Sequence, residues 1–183
     1  MATAPDDFHA NVTLNNRVSV DVQICYSGDV ARTEQLLRPW RSVAKTHTDT
    51  IRRAAYGELL RMPTDGTPDS ISFTAITGLY LPNLSDHLFE TIVDQINSGP
   101  DQTMVAFGHY MHGAVCKVPA DETAFELRQP NAVHLFVSAS WQNVDSSNSY
   151  MTWIDQMGDL LRGATLTDES MLISSQLKAR IRG

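Results

Sequence analysis

His109, His134 and Asp21 are the residues whose chemistry best suits proton transfer in this chain. Imidazole titrates near neutral pH, so a positioned histidine both gives and takes protons under ordinary conditions. His109 and His134 are therefore the acid/base candidates, and Asp21 is placed to orient one of them or to act as a base itself. A zinc site built from His109, His112 and His134 is the poorer reading, because residues three apart along a strand face opposite ways. Cys25 reads as a nucleophile or, more simply, as a small, buried filler. No G-x-S-x-G elbow, P-loop or G-x-G-x-x-G is present, which leaves hydrolase, nucleoside-triphosphatase and dinucleotide-fold readings without support.

These residues fall on strands. From Arg17 to Tyr26 the side chains alternate, with Val18, Val20, Val22, Ile24 and Tyr26 on one face and Asp21, Gln23 and Cys25 on the other. Phe8–Leu14 is a weaker strand before it. Asp29 opens a helix carrying Leu36, Leu37, Trp40 and Val43, which Pro39 should kink or end early. A second helix is expected over 49–60, then a strand over 71–81 and a helix capped by Ser85. Strands over 103–111 and 114–118 flank His112-Gly113, read as a hairpin turn. Val133–Trp141 is a further strand, followed by helices over 147–161 and 167–181. The fold class is α+β: one mostly antiparallel sheet with helices packed on one face and the open face forming a ligand chamber. Residues 1–183 form a single domain.

Composition bounds the function. The formal charge is −7, with 42% hydrophobic and 19% charged residues. An acidic chain of this kind disfavours nucleic acid as a partner, and no apolar run is long enough to span a bilayer. The start lacks the basic and apolar regions of a secretion signal, so a cytoplasmic location is expected. Two cysteines, Cys25 and Cys116, make neither a disulfide framework nor a CxxC metal motif.

Three stretches carry a resemblance. Cys25-Tyr26-Ser27-Gly28-Asp29 with Leu36-Leu37-Arg38-Pro39-Trp40-Arg41, then Ala55-Tyr56-Gly57-Glu58-Leu59-Leu60, and above all His112 to Arg128 (HGAVCKVPADETAFELR) are similar to segments of the substrate-binding domain of berberine-bridge-type FAD-linked oxidases. The resemblance covers about residues 15–165, and Trp141 at the close of its strand also fits. In that family FAD is held by a separate fold, whose G-G-G-H-S-type segment supplies a histidine that bonds to the flavin. These 183 residues contain no such segment, and His112 replaces the first glycine of the family's G-G-A-V turn. The expectation is thus no cofactor in this chain, with FAD only from a partner chain.

The family's chamber lies on the open sheet face. Alternation along each strand places Asp21, Gln23 and Cys25 there, with His134, Phe136 and Ser138 from the later strand and Phe107, His109 and Met111 from the one over 103–111. Gln23, Cys25, Phe107, Met111, Phe136 and Ser138 are the substrate-binding set. Such a mixture of apolar walls and hydrogen-bonding groups suits a hydrophobic small molecule. Three functions follow. The first is a stand-alone, flavin-free protein that binds a biosynthetic intermediate and catalyses a non-redox cyclisation or isomerisation. The second is the substrate-binding subunit of a split FAD-dependent oxidoreductase, with a flavin-bearing partner chain. The third is a non-catalytic homodimeric binding protein.

Overall fold

The computed structural model describes residues 5–16, 19–43, 48–59, 73–101, 103–125 and 127–166, with backbone alone for residues 59, 104–109 and 164–166. The helix expected over 167–181 lies outside the described residues. Among the described residues five strands, β1 (Phe8–Asn15), β2 (Ser19–Tyr26), β3 (Phe73–Leu81), β4 (Thr103–Tyr110) and β5 (Val133–Trp141), form one sheet in the order β2-β1-β4-β5-β3. Every pairing is antiparallel. Among the described residues four helices accompany it: α1 (Thr33–Val43), α2 (Tyr56–Leu59), α3 (Asp86–Asn97) and α4 (Ser147–Leu166). The α+β architecture read from the sequence is the one observed. Among the described residues no helix is long and apolar enough to cross a membrane.

Strand alternation decides which face the helices cover. Val133, Leu135, Val137, Ala139 and Trp141 alternate along β5, and all are buried against Ala75, Leu79 and Leu81 of β3 and against two helices. Those helices present Ile92 and Ile96 from α3 and Trp153, Ile154, Met157 and Leu161 from α4, spaced three and four apart. Burying each large side chain contributes roughly 1.5–3 kcal/mol, so this layer dominates stability. Ser85 caps α3 by accepting the Leu88 N–H at 3.2 Å. The Trp153 indole N–H donates to the Gln95 carbonyl at 3.0 Å and ties α4 to α3.

On the same side, α1 covers the other end of the sheet. Leu37 packs with Phe8 and Ala10, joined by the half-buried Ile24, Tyr26, Leu36 and Trp40. The helix runs through Pro39 to Val43, so of the expected kink or early end the early end does not occur. Its coverage is partial. Val20 and Val22, on the same strand face as Ile24 and Tyr26, are 59% and 38% exposed because α1 reaches only the Ile24–Tyr26 end of β2.

Two further expectations are corrected. Only Tyr56–Leu59 of the helix over 49–60 is helical within the described residues; Asp49 instead binds Arg41 at 2.7 Å and accepts the Ile51 N–H, which holds the chain outside a helix. Residues Gly113–Lys117 are a 3-10 turn, not a strand after a hairpin. Gly113 adopts φ +65, a left-handed conformation that glycine takes without strain, at the start of this turn.

Candidate functional site

The sheet face opposite α3 and α4 is covered at one end by the segment from Met111 to Ala132. Its ends are clamped together: the Met111 N–H donates to the Ala132 carbonyl at 2.8 Å, and the Asn131 N–H donates to the Met111 carbonyl at 3.0 Å. The Tyr110 hydroxyl donates to Asn131 Oδ1 at 2.7 Å. Tyr80, Met111 and Ala132 are buried beneath this roof, with Val115, Cys116 and Leu127 packed on them. The Tyr80 hydroxyl accepts the Gln129 N–H at 3.1 Å, anchoring the roof to β3. Burial raises the Tyr80 phenol above its ordinary value, so it stays protonated. Burial raises the Cys116 thiol as well, more than Arg128 lowers it. Arg128 braces the roof from within. It donates to the Val115 carbonyl at 3.2 Å and to Thr123, and lies 5.3 Å over the Phe125 ring.

Under the roof is a cavity of about 550 Å³. Tyr80, Tyr110, Met111, Ala114, Val115, Phe125 and Leu127 form its walls, and His9, His112, His134 and Asp6 are its polar groups. The volume is that of a small-molecule pocket, and so is the balance of apolar wall and few polar groups. Register explains how histidines so distant in sequence converge. His134 is cross-strand neighbour to Tyr80 on one side and to Gly108 on the other. His9 is the second residue of β1, two strands from β5, and its ring stacks on His112 with centroids 5.8 Å apart. The segment Pro5–Asp7 closes that side. The Ser27 N–H donates to the Asp7 carbonyl at 3.0 Å, and the Lys117 ammonium pairs with the Asp6 carboxylate. A Cβ on Gly113 would stand 3.1 Å from the Asp6 carbonyl oxygen, so the roof and the N-terminal segment meet backbone to backbone.

The electrostatics favour a neutral base. Burial and the neighbouring His9 pull the His112 imidazole below its ordinary value, and Asp6 opposes them only in part. The ammonium of Lys117 holds the Asp6 carboxyl below the usual carboxylate range, so Asp6 is ionised at the cavity rim. Among the described residues, no group of three histidine, cysteine or acidic side chains is arranged to hold a metal ion.

No protein-family model and no curated relative matches the sequence. Solved structures do. A berberine-bridge-enzyme-like protein of Physcomitrella patens is similar over 88% of this chain and 38% of its own, at 18% identity and a TM-score of 0.70. A berberine bridge enzyme variant described as a reticuline dehydrogenase is similar over 86% and 34%, at 18% identity and 0.65. Aclacinomycin oxidoreductase is similar over 87% and 34%, at 20% identity and 0.62. The chain has the fold of one part of the berberine-bridge-type FAD-linked oxidases. It spans little more than a third of their length.

Within this berberine-bridge-type fold, the residues singled out in the sequence divide. His134 and Met111 line the cavity. Phe136 is half-buried and Ser138 buried on the same sheet face, but neither lines it. Asp21 and Gln23 are exposed and Cys25 is half-buried on β2. That edge strand is three steps from β5, about 14 Å at the usual strand spacing, so Asp21 does not reach His134. Phe107 is cross-strand neighbour to Leu135, and His109 falls at the irregular step between Gly108 and Tyr110. The side chains of Phe107 and His109 lie outside the described residues. Sequence reasoning misses His9, Asp6, Tyr80 and Phe125. Phe125 stands inside the HGAVCKVPADETAFELR stretch, the part most similar to the oxidases and also the roof, so that resemblance is the signal available for it.

The fold family implies FAD, and the cavity can be tested for it. A dinucleotide needs cations or a run of backbone N–H groups for its diphosphate. The cavity lining offers no lysine or arginine and carries the Asp6 carboxylate instead. It does not fit the diphosphate.

Proposed function

We propose that this protein binds a hydrophobic small molecule in the roofed cavity and moves a proton within it, a non-redox isomerisation or cyclisation. The observation that carries the reading is the convergence of three imidazoles on an apolar cavity of about 550 Å³. A neutral His112 takes a proton from a carbon acidified by an adjacent carbonyl. His134, from the rigid strand β5, returns a proton at the far end of the resulting enolate, so no electrons leave the substrate. Aromatic and aliphatic walls hold the reacting atoms together. In this reading the substrate is an intermediate of a biosynthetic sequence.

The test begins with a library of apolar carbonyl compounds screened by thermal shift and ligand-observed NMR. With a turned-over compound in hand, His112→Ala and His134→Ala should each lower turnover by about 10²–10⁴-fold with an unchanged circular dichroism spectrum. Wild-type turnover in both variants removes the acid/base assignment.

One observation favours a second reading. Beyond the roof, the face bearing Phe136, Ile76 and the Thr74–Ser140 hydroxyl pair has no helix packed on it among the described residues. In this reading the face lies against a partner chain that carries FAD, and the present chain completes the substrate chamber of a split oxidase. Visible flavin absorbance that co-purifies with this chain and a second chain would support it. A colourless protein that turns over a substrate alone would rule it out.

A further inference from the structure

The two edges of the sheet differ in how they meet solvent. The residues of β3 are buried or half-buried along its whole length, whereas β2 is exposed from Ser19 to Gln23. Among the described residues no strand pairs with the outer edge of β2. Its pairing with β1 runs without a bulge from Asn15↔Ser19 to Phe8↔Tyr26. Ser19–Tyr26 contains no proline, no lysine and one charge, Asp21. It therefore lacks the devices that usually keep an open edge from pairing. Two exposed valines, Val20 and Val22, lie on its helix-side face beyond the reach of α1.

We propose that this edge pairs with the same edge of a second copy, so that two sheets join into one across a two-fold axis at Val22. A two-fold axis normal to the sheet keeps each face on its own side, which permits only registers that set like faces opposite one another. Centring on Asp21 would set two carboxylates directly opposite each other. Centring on Gln23 would set Asp21 against Cys25 and leave Val20 against Tyr26. Centring on Val22 sets Val22 against Val22, Val20 against Ile24 and Asp21 against Gln23. In that register the apolar residues meet on one face, and on the other a carboxylate meets an amide. The occupant is thus a second copy of this chain, selected by strand register and charge. The assembly leaves the cavity free, because none of its lining residues lies on β2.

Sedimentation equilibrium of the full chain over a wide concentration range should give a mass rising from that of the 20.3 kDa chain towards twice that value. Val22→Lys, which places two ammonium groups at the axis, should hold the mass at that of one chain with an unchanged circular dichroism spectrum. Val22→Cys should cross-link under mild oxidation, since residues on such an axis have Cα atoms about 4.5–5.5 Å apart. Val20→Cys should cross-link no more than the unsubstituted chain. A single-chain mass at every concentration overturns the proposal. So does a dimer indifferent to Val22→Lys, or equal cross-linking at positions 20 and 22.

Discussion

Leu135 and His134 are adjacent on β5 and belong to different regions of the molecule. Leu135 is fully buried between the sheet and its helices, while His134 looks into the roofed cavity on the other side. A rigid strand gives one set of positions to stability and the alternate set to chemistry. Coverage differs accordingly. Beneath α3 and α4 the packing is continuous across two strands and two helices. The cavity side is held by a clamp of two backbone hydrogen bonds, one tyrosine anchor and an exposed ion pair.

The sharpest way to break this contrast is to truncate both neighbours. Leu135→Ala should cost about 2–5 kcal/mol of unfolding free energy, the range for a large-to-small change in a packed core. His134→Ala should cost under about 1 kcal/mol, as for substitutions outside a core, while lowering turnover by about 10²–10⁴-fold. Urea unfolding of both variants checks it. A His134→Ala protein as unstable as Leu135→Ala would mean that the cavity wall is core and that the two sides are not separable.

Gly113→Ala probes the roof rather than the strand. The left-handed φ of +65 costs a residue with a Cβ about 1–2 kcal/mol, and the added methyl would crowd the Asp6 carbonyl at 3.1 Å. The variant should unfold earlier, and its affinity for a cavity ligand should fall by more than the stability loss alone predicts. A Gly113→Ala protein with wild-type stability and affinity would show that the roof does not depend on this close approach.

How much of this is legible in the sequence follows physical lines. β5 is legible at its observed limits, because VHLFVSASW alternates and is buried on one face. The Ser85 cap is legible from residue type, and the cap bond is present. The stretch after Gly113 misleads, since Ala114-Val115-Cys116-Lys117-Val118 is as apolar as a strand. Its conformation is set by the left-handed glycine and by packing on Tyr80, and neither leaves a periodic mark in the sequence. His9 and Asp6 escape notice for a different reason. Pro5–Asp7 carries no periodic pattern, and only the contacts of Asp6 with Lys117 and of Asp7 with Ser27 make it a cavity wall, while His9 stands on the more weakly marked first strand. Placing Phe107 and His109 on one face assumes an unbroken alternation, which the irregular step between Gly108 and Tyr110 interrupts. Register shifts of this kind reverse the faces of a strand, and local composition carries no sign of them.

The smallest expected effect is a dependence on pH, and it separates the two sides again. The folded protein pulls the His112 imidazole down through burial and through His9, against the weaker pull of Asp6, so the unfolded chain takes up a proton there more readily than the folded one. The sign follows by linkage. The contribution of His112 is fully present above the unfolded imidazole value of about 6.5 and is lost as pH falls through the lower folded value. Asp6 stays ionised over most of this window because Lys117 holds its carboxyl low, so its own titration falls at more acid pH. Unfolding free energy should therefore decline as pH drops below neutral, and His112→Asn should flatten part of that decline. Leu135→Ala, on the other side of the sheet, should shift the whole profile down without changing its slope. Unfolding by urea at a series of pH values measures both. If the slopes of the wild-type and His112→Asn proteins coincided, His112 would be solvated in the folded state, and the neutral base on which proton transfer in the cavity depends would be lost.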